Sequence, residues 1–261
     1  LHGVHRAGQL QKLVQKRPQQ PGHPPKKGGK KPPEKGKPKQ MKIEPGRAPM
    51  PAIVKKHYQA KSGYVNYYFN RLNQQRVWKA HSQHGDFTAL QGTWTLKGKD
   101  AQGKDVAFVL KDDLAEATLP GGKHSLNISE ELGEKTDPLG SGGLLVALHL
   151  WKRFHVVGMD KYGEVVYRGA APYPGKKGLL DVLVAKHAQV VSTLYFDPKK
   201  GRLEALEMFS EEYADPCEIV FSDFQTSDGR DLPRTLEVRR GETVFGTFQI
   251  TEVNLNGKPE N

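Results

Sequence analysis

Residues Ser141 to Val157 read SGGLLVALHLWKRFHVV. Leu144, Leu145, Leu148, Trp151 and Phe154 recur at three- and four-residue steps, which places them on one side of an α-helix. Ser141 suits a cap for the first turn, the glycines of Leu139-Gly140-Ser141-Gly142-Gly143 break the pattern before it, and Gly158 offers a stop after it. The segments on both sides read as strands. A single apolar helix within an antiparallel β chain has one economical place to bury its stripe, the concave face of the sheet. The expected fold is therefore mainly β (α+β): a large curled antiparallel sheet, or unclosed β-barrel, with a central helix packed on its concave face.

Ala52 to Ala60 predicts a short leading helix behind Pro51, and Tyr64 to Ala80, carrying Tyr64, Val65, Tyr68, Phe69, Leu72 and Trp78, is compatible with a second helix, the preferred reading, while its aromatics alone would suit a strand. From Phe87 the period changes to two. Gly92–Leu96, Val106–Leu110, Leu114–Leu119 and Ser125–Ile128 read as strands separated by turns at Lys97-Gly98-Lys99-Asp100, Asp112-Asp113 and Pro120-Gly121-Gly122. After the helix come Gly163–Arg168, Leu179–Lys186, Val190–Phe196, Leu203–Phe209, Glu218–Gln225, Thr235–Arg240 and Thr243–Val253. Short turns such as Asp197-Pro198-Lys199-Lys200-Gly201 and Ser227-Asp228-Gly229-Arg230 suit hairpins.

The 261 residues carry a formal net charge of +11, and all of that excess lies in Leu1 to Pro51, where 13 Lys and Arg face 2 acidic residues. The remainder is balanced, so the bulk charge makes no case for specific nucleic-acid binding by the folded part. Residues 1–16 read as a short helix or the remnant of an upstream domain. Residues 17–51 hold 10 of the 18 prolines and no apolar spacing, the composition of a disordered basic linker. Residues 52–256 form the folded domain and 257–261 a tail. The linker is in its simplest reading a solvated spacer, and in its functional one a contact with an anionic surface. No run has the length of apolar sequence that a transmembrane helix needs. The start at Leu1 suits a fragment or a processed product.

The residues also carry a resemblance. Ile219 to Val238, IVFSDFQTSDGRDLPRTLEV, resembles the strand-turn-strand signature of the bacterial lipoprotein-carrier (LolA/LolB-like) fold, and Leu194 to Met208, LYFDPKKGRLEALEM, resembles the Asp-Pro hairpin before it. The leading helix and Gly92-Thr93-Trp94-Thr95-Leu96 are similar to its opening helix and first strand. A closer likeness is to a module at the C-terminal end of some bacterial trypsin-like serine proteases, where phrases resembling SGGLLVALHLW, LEMF and ADPCEIVFSDF follow a proline-rich linker. The resemblance implies a non-catalytic binding domain of the periplasm or cell envelope, with no cofactor and with an apolar cavity for a lipid or acyl chain. Trp94, Leu96, Leu144, Leu148, Trp151 and Phe154 are the expected lining. The alternative it implies is a structural or targeting module of a secreted protease whose catalytic domain is absent from this chain.

Catalytic and metal readings find no support in spacing. Gly140-Ser141-Gly142-Gly143 lacks the aspartate of a trypsin-like nucleophile and is not a Gly-x-Ser-x-Gly elbow, so Ser141 reads as a helix cap. His81 and His84 have no third ligand in view and read as a surface pair; His149 and His155 flank the apolar stripe as rim or partly buried residues. Cys217 reads as a small buried hydrophobe beside Glu218, a poor setting for a thiolate. Asp112-Asp113 and Glu211-Glu212 fall at turns, where neighbouring carboxylates cannot face each other across a cleft.

Overall fold

A computed structural model of the chain describes residues 50–129, 131–210 and 214–256. The expected N-terminal helix, nearly all of the basic linker, Glu211-Glu212 and the 257–261 tail lie outside these residues.

The described chain opens with α1 (Ala52–Lys56), α2 (Tyr68–His81) and a 3-10 turn (Ser82–His84). A first meander follows: β1 (Trp94–Asp100), β2 (Asp105–Leu110), β3 (Leu114–Leu119) and β4 (Gly122–Asn127). Then come α3 (Leu144–Val157) and α4 (Met159–Tyr162). The second meander contains β5 (Glu164–Pro172), β6 (Leu179–His187), β7 (Val190–Phe196), β8 (Leu203–Phe209), β9 (Cys217–Ser222), β12 (Thr235–Arg240) and β13 (Thr243–Leu255). Between β9 and β12 stands a separate two-stranded hairpin, β10 (Gln225–Ser227) and β11 (Arg230–Leu232).

Eleven strands make one antiparallel sheet in the order β4-β3-β2-β1-β13-β12-β9-β8-β7-β6-β5. β4 and β5 are consecutive in the chain yet occupy opposite edges, so the segment between them must cross the whole sheet. That crossing segment is α3 with its flanking loops. The helix touches β2, β3 and β4 from one half and β8 and β9 from the other, which requires the sheet to curl around it. The barrel stays unclosed, with α3 as its filling.

The apolar pattern of α3 dictates this place. Twelve of its fourteen residues are buried, and the five-residue stripe alone contributes about 1.5–3 kcal/mol per side chain. Ser141 Oγ accepts the N–H groups of Gly143 (3.2 Å) and Leu144 (3.0 Å) from two residues ahead of Gly143, which itself holds the N-cap position. Gly143, at φ 106°, has no room for a side chain: a Cβ there would stand 2.7 Å from the backbone oxygen of Lys135. Gly158, at φ 71°, ends the helix and lets α4 turn towards β5 and β6.

Three local expectations are corrected. α1 stops at Lys56 and buries none of its residues. α2 turns Gln74, Val77 and His81 inward, with Tyr67 buried just ahead of it, and leaves Val65, Phe69 and Leu72 exposed. The cause is the free edge of β5. Asn70 Nδ2 donates to the Tyr167 carbonyl (2.7 Å) and Asn70 Oδ1 accepts the Tyr167 N–H (3.0 Å), as a twelfth strand would. Arg76 adds a two-pronged pair to Asp181 in β6 (2.8 and 2.6 Å). Polar side chains thus decide which face of α2 looks inward. Second, Lys97-Gly98-Lys99-Asp100 is strand, because pairing with both β2 and β13 overrides its turn propensity. The turn falls after it, where Asp100 accepts the N–H groups of Gln102 and Lys104. Third, the expected strand Glu218–Gln225 breaks at Asp223, whose φ of 53° swings the chain out into the β10–β11 hairpin.

The main core lies between α3 and the concave sheet. A smaller one, Tyr173, Leu180, Val182, Tyr195 and Ala205, forms separately on β6, β7 and β8 beneath the loop after β5.

Candidate functional site

All six expected lining residues meet in the main core. Trp94 and Leu96 enter from β1, and Leu144, Leu148, Trp151 and Phe154 from α3, each at most 2 % exposed. Aromatic edges do much of the joining: Trp94 meets Trp151 edge-on at 5.5 Å, Trp151 stacks on Phe221 at 5.6 Å, and Phe154 touches Trp78, Tyr162 and Phe196. Trp94 Nε1 donates to the Leu90 carbonyl at 2.9 Å, so its ring is buried without an orphan donor. The interior is filled. A partly open space of about 10 Å³, among Trp151, His155, Phe221, Phe224 and neighbours, has room for about one water.

Polar groups mark the ends of this core. Lys152 is 2 % exposed, but its Nζ reaches the rim, donating to Asp112 (2.8 Å) and to the Gln91 carbonyl (3.3 Å). His149 and His155 are both buried on α3; burial lowers each to about 4, with His155 Nδ1 bonded to the Trp151 carbonyl at 2.9 Å. His81, whose ring centre lies 5.0 Å from that of His155, is also driven well down by burial.

The 3-10 turn and the β10–β11 hairpin are tied together at this end of the core by Asp231. Its carboxylate accepts from Thr226, from Arg202 (2.9 Å) and from His84 Nδ1 (2.8 Å), and these bonds hold it down to about 2. His84 also meets the Lys200 carbonyl, and His81 Nδ1 the Gly201 carbonyl at 3.1 Å. His81 and His84 are therefore an inward-facing clasp, which corrects the surface-pair reading. The clasp was out of reach of the sequence because Asp231 lies 147 residues from His84. No spacing signals such a contact.

Chemically, the site offers apolar area. Ser141 is fully buried and its Oγ is engaged by the N–H groups of Gly143 and Leu144; Cys217 is fully buried and its thiol is pushed up by burial, then by Glu218. Among the described residues no group of three His, Cys, Asp or Glu could hold a metal ion, and no helix is long and apolar enough to cross a membrane.

No family model matches the sequence, and no curated protein matches it as a relative. Three solved structures follow a similar backbone course. A DUF1329 family protein from Desulfovibrio piger is 10 % identical, covering 71 % of this chain and 92 % of its own, with a TM-score of 0.42. A domain assigned to outer-membrane lipoprotein sorting from Vibrio parahaemolyticus is 13 % identical over 72 % and 93 %, with a TM-score of 0.40. A LolA superfamily protein from Nitrosomonas europaea is 8 % identical over 70 % and 93 %, with a TM-score of 0.41.

Proposed function

We propose that this domain is a non-catalytic carrier-type module that takes a lipid or acyl chain between α3 and the concave sheet. Trp94, Leu96, Leu144, Leu148, Trp151 and Phe154 are its contact surface. The observation that carries the reading is the way α3 is held. It fills a sheet whose two edges never join, its ends are the glycines Gly143 and Gly158, and it is packed on the sheet by apolar surface, with Lys152 to Asp112 as a polar latch at the rim. Apolar contacts are non-directional, so an acyl chain can replace the sheet-facing side of α3 at little cost in unmade hydrogen bonds. In the filled state described above the helix occupies the ligand's space, and loading moves it outward as a lid. A periplasmic or envelope location goes with this role, as does the buried state of Ser141.

Titration of the full chain with a fluorescent fatty acid tests the proposal. Saturable binding is expected, and Trp151→Ala should change it several-fold while costing less than the roughly 3–5 kcal/mol of an ordinary large-to-small core substitution. Absent binding, or binding unchanged by a variant that loses the full 3–5 kcal/mol, would replace the carrier with a permanently filled structural module.

A further inference from the structure

Of the eleven large apolar side chains exposed among the described residues, eight lie between Met50 and Leu72. Val65 is 96 % exposed, Ile53 73 % and Phe69 59 %, with Leu72, Val54, Tyr58 and Tyr64 less so. Their exposure is built in. At about 100° per residue, Asn70, Gln74, Val77 and His81 share the side of α2 that faces the sheet, which leaves Leu72 on the opposite side and Phe69 on the flank. The loop below them is pinned: Asn66 Oδ1 accepts the N–H groups of Gln59 and Tyr68 (both 3.0 Å), and Asn66 Nδ2 donates to the His57 carbonyl (2.8 Å). His57, Tyr68 and Phe69 are joined edge to edge at 5.0 and 5.5 Å, so α1, the loop and α2 make one surface.

The charge of this layer says what it fits. Residues 51–85 contain Lys55, Lys56, Lys61, Arg71, Arg76 and Lys79 and not one Asp or Glu. Lys61 and Arg76 are matched by Glu164 and Asp181, which leave the layer's other cations to face outward partners. Directly ahead in sequence is the segment with 13 basic against 2 acidic residues. Exposed aliphatic and aromatic side chains framed by uniform positive charge match an anionic bilayer interface, where tyrosine rings settle at headgroup level and stable attachment needs an apolar and a basic signal together.

We propose that the α1–α2 face docks on anionic lipid membranes, with Val65, Phe69 and Leu72 entering the interface while Lys55 and Lys56 hold the headgroups. This is independent of whether α3 yields to an acyl chain, and it adds the apolar signal that basic residues alone lack.

The test uses the full chain and vesicles of phosphatidylethanolamine with phosphatidylglycerol, against vesicles of phosphatidylcholine alone. Phe69→Trp in a Trp78→Phe background supplies a reporter on the exposed face, since Trp94 and Trp151 are buried and Trp78, half-buried on the same helix, is replaced. Its emission is expected to shift to the blue on anionic vesicles and to stay unchanged on phosphatidylcholine. The double variant Val65→Glu, Phe69→Glu should keep the melting temperature and lose roughly tenfold or more of its partition onto anionic vesicles, because both signals are needed. Three outcomes would overturn the proposal. They are no co-sedimentation with anionic vesicles, co-sedimentation without an emission shift (attachment through the basic segment alone), and self-association in solution abolished by the double variant (a second copy covers the face).

Discussion

The two long helices have fourteen residues each and opposite attachments. α3 buries twelve residues in the cup of the sheet; α2 buries three and sits on the edge. α3 is placed by apolar area, which has no direction, and α2 by hydrogen bonds from Asn70 and Arg76, which have a very definite one. Area dictates that a helix is inside, whereas directed bonds dictate which of its faces looks where. A helix fixed by area can slide and re-cover itself, while one fixed by Asn70 has a single register.

Substitutions can break this contrast, and the largest effect belongs to α3. Leu145→Ala removes a fully buried side chain that lies outside the proposed ligand surface, and denaturant unfolding should show a loss of about 2–5 kcal/mol. A loss below 1 kcal/mol would mean that α3 is not held by area at all.

Acid should sharpen it next. Burial lowers His149 and His155 of α3 to about 4 from the ordinary 6.5, so the unfolded chain takes up these protons first. Their contribution is therefore whole above pH 6.5 and drains away as the pH falls from about 6.5 to about 4, by roughly 2–4 kcal/mol each. Unfolding curves of His155→Phe across that window should be flatter than those of the parent; equal slopes would mean that the ring is not buried neutral.

On α2 the expected cost is smaller and polar. Asn70→Ala leaves the Tyr167 N–H and carbonyl without their side-chain partners and should cost about 1–3 kcal/mol, with faster amide exchange at Tyr167. Substitution by Asp, which keeps the acceptor and loses the donor, should fall between. The smallest effect is on the outer face of the same helix: Leu72→Gln should shift stability by no more than about 0.5 kcal/mol. A larger loss would show Leu72 to be covered.

The same contrast explains what could be read in advance. The SGGLLVALHLWKRFHVV stripe, the period-two strands and the unclosed sheet follow from apolar spacing, and β3, β7, β8 and β12 begin and end where that spacing does. The face of α2 could not be read that way, because its inner side is written in Asn70, Gln74 and His81, residues that spacing rules assign to solvent. The strand break at Asp223 depends on one left-handed residue, and the clasp at Asp231 on contacts across more than a hundred residues. That Trp94 and Trp151 share one lining is an expectation of the resemblance alone, since nothing local says that β1 and α3 meet.

The seam between β1 and β13 carries a consequence for synthesis. Lys97 pairs with Glu252, and 155 residues separate them. A ribosome adding about 5–20 residues per second therefore leaves β1 without its neighbour for roughly 8–30 seconds, while the apolar side of the first meander waits for a helix that has only just emerged. An open strand edge beside uncovered apolar surface is the arrangement that templates aggregation. The nascent chain, more than the finished domain, is where this fold is most open to wrong pairing.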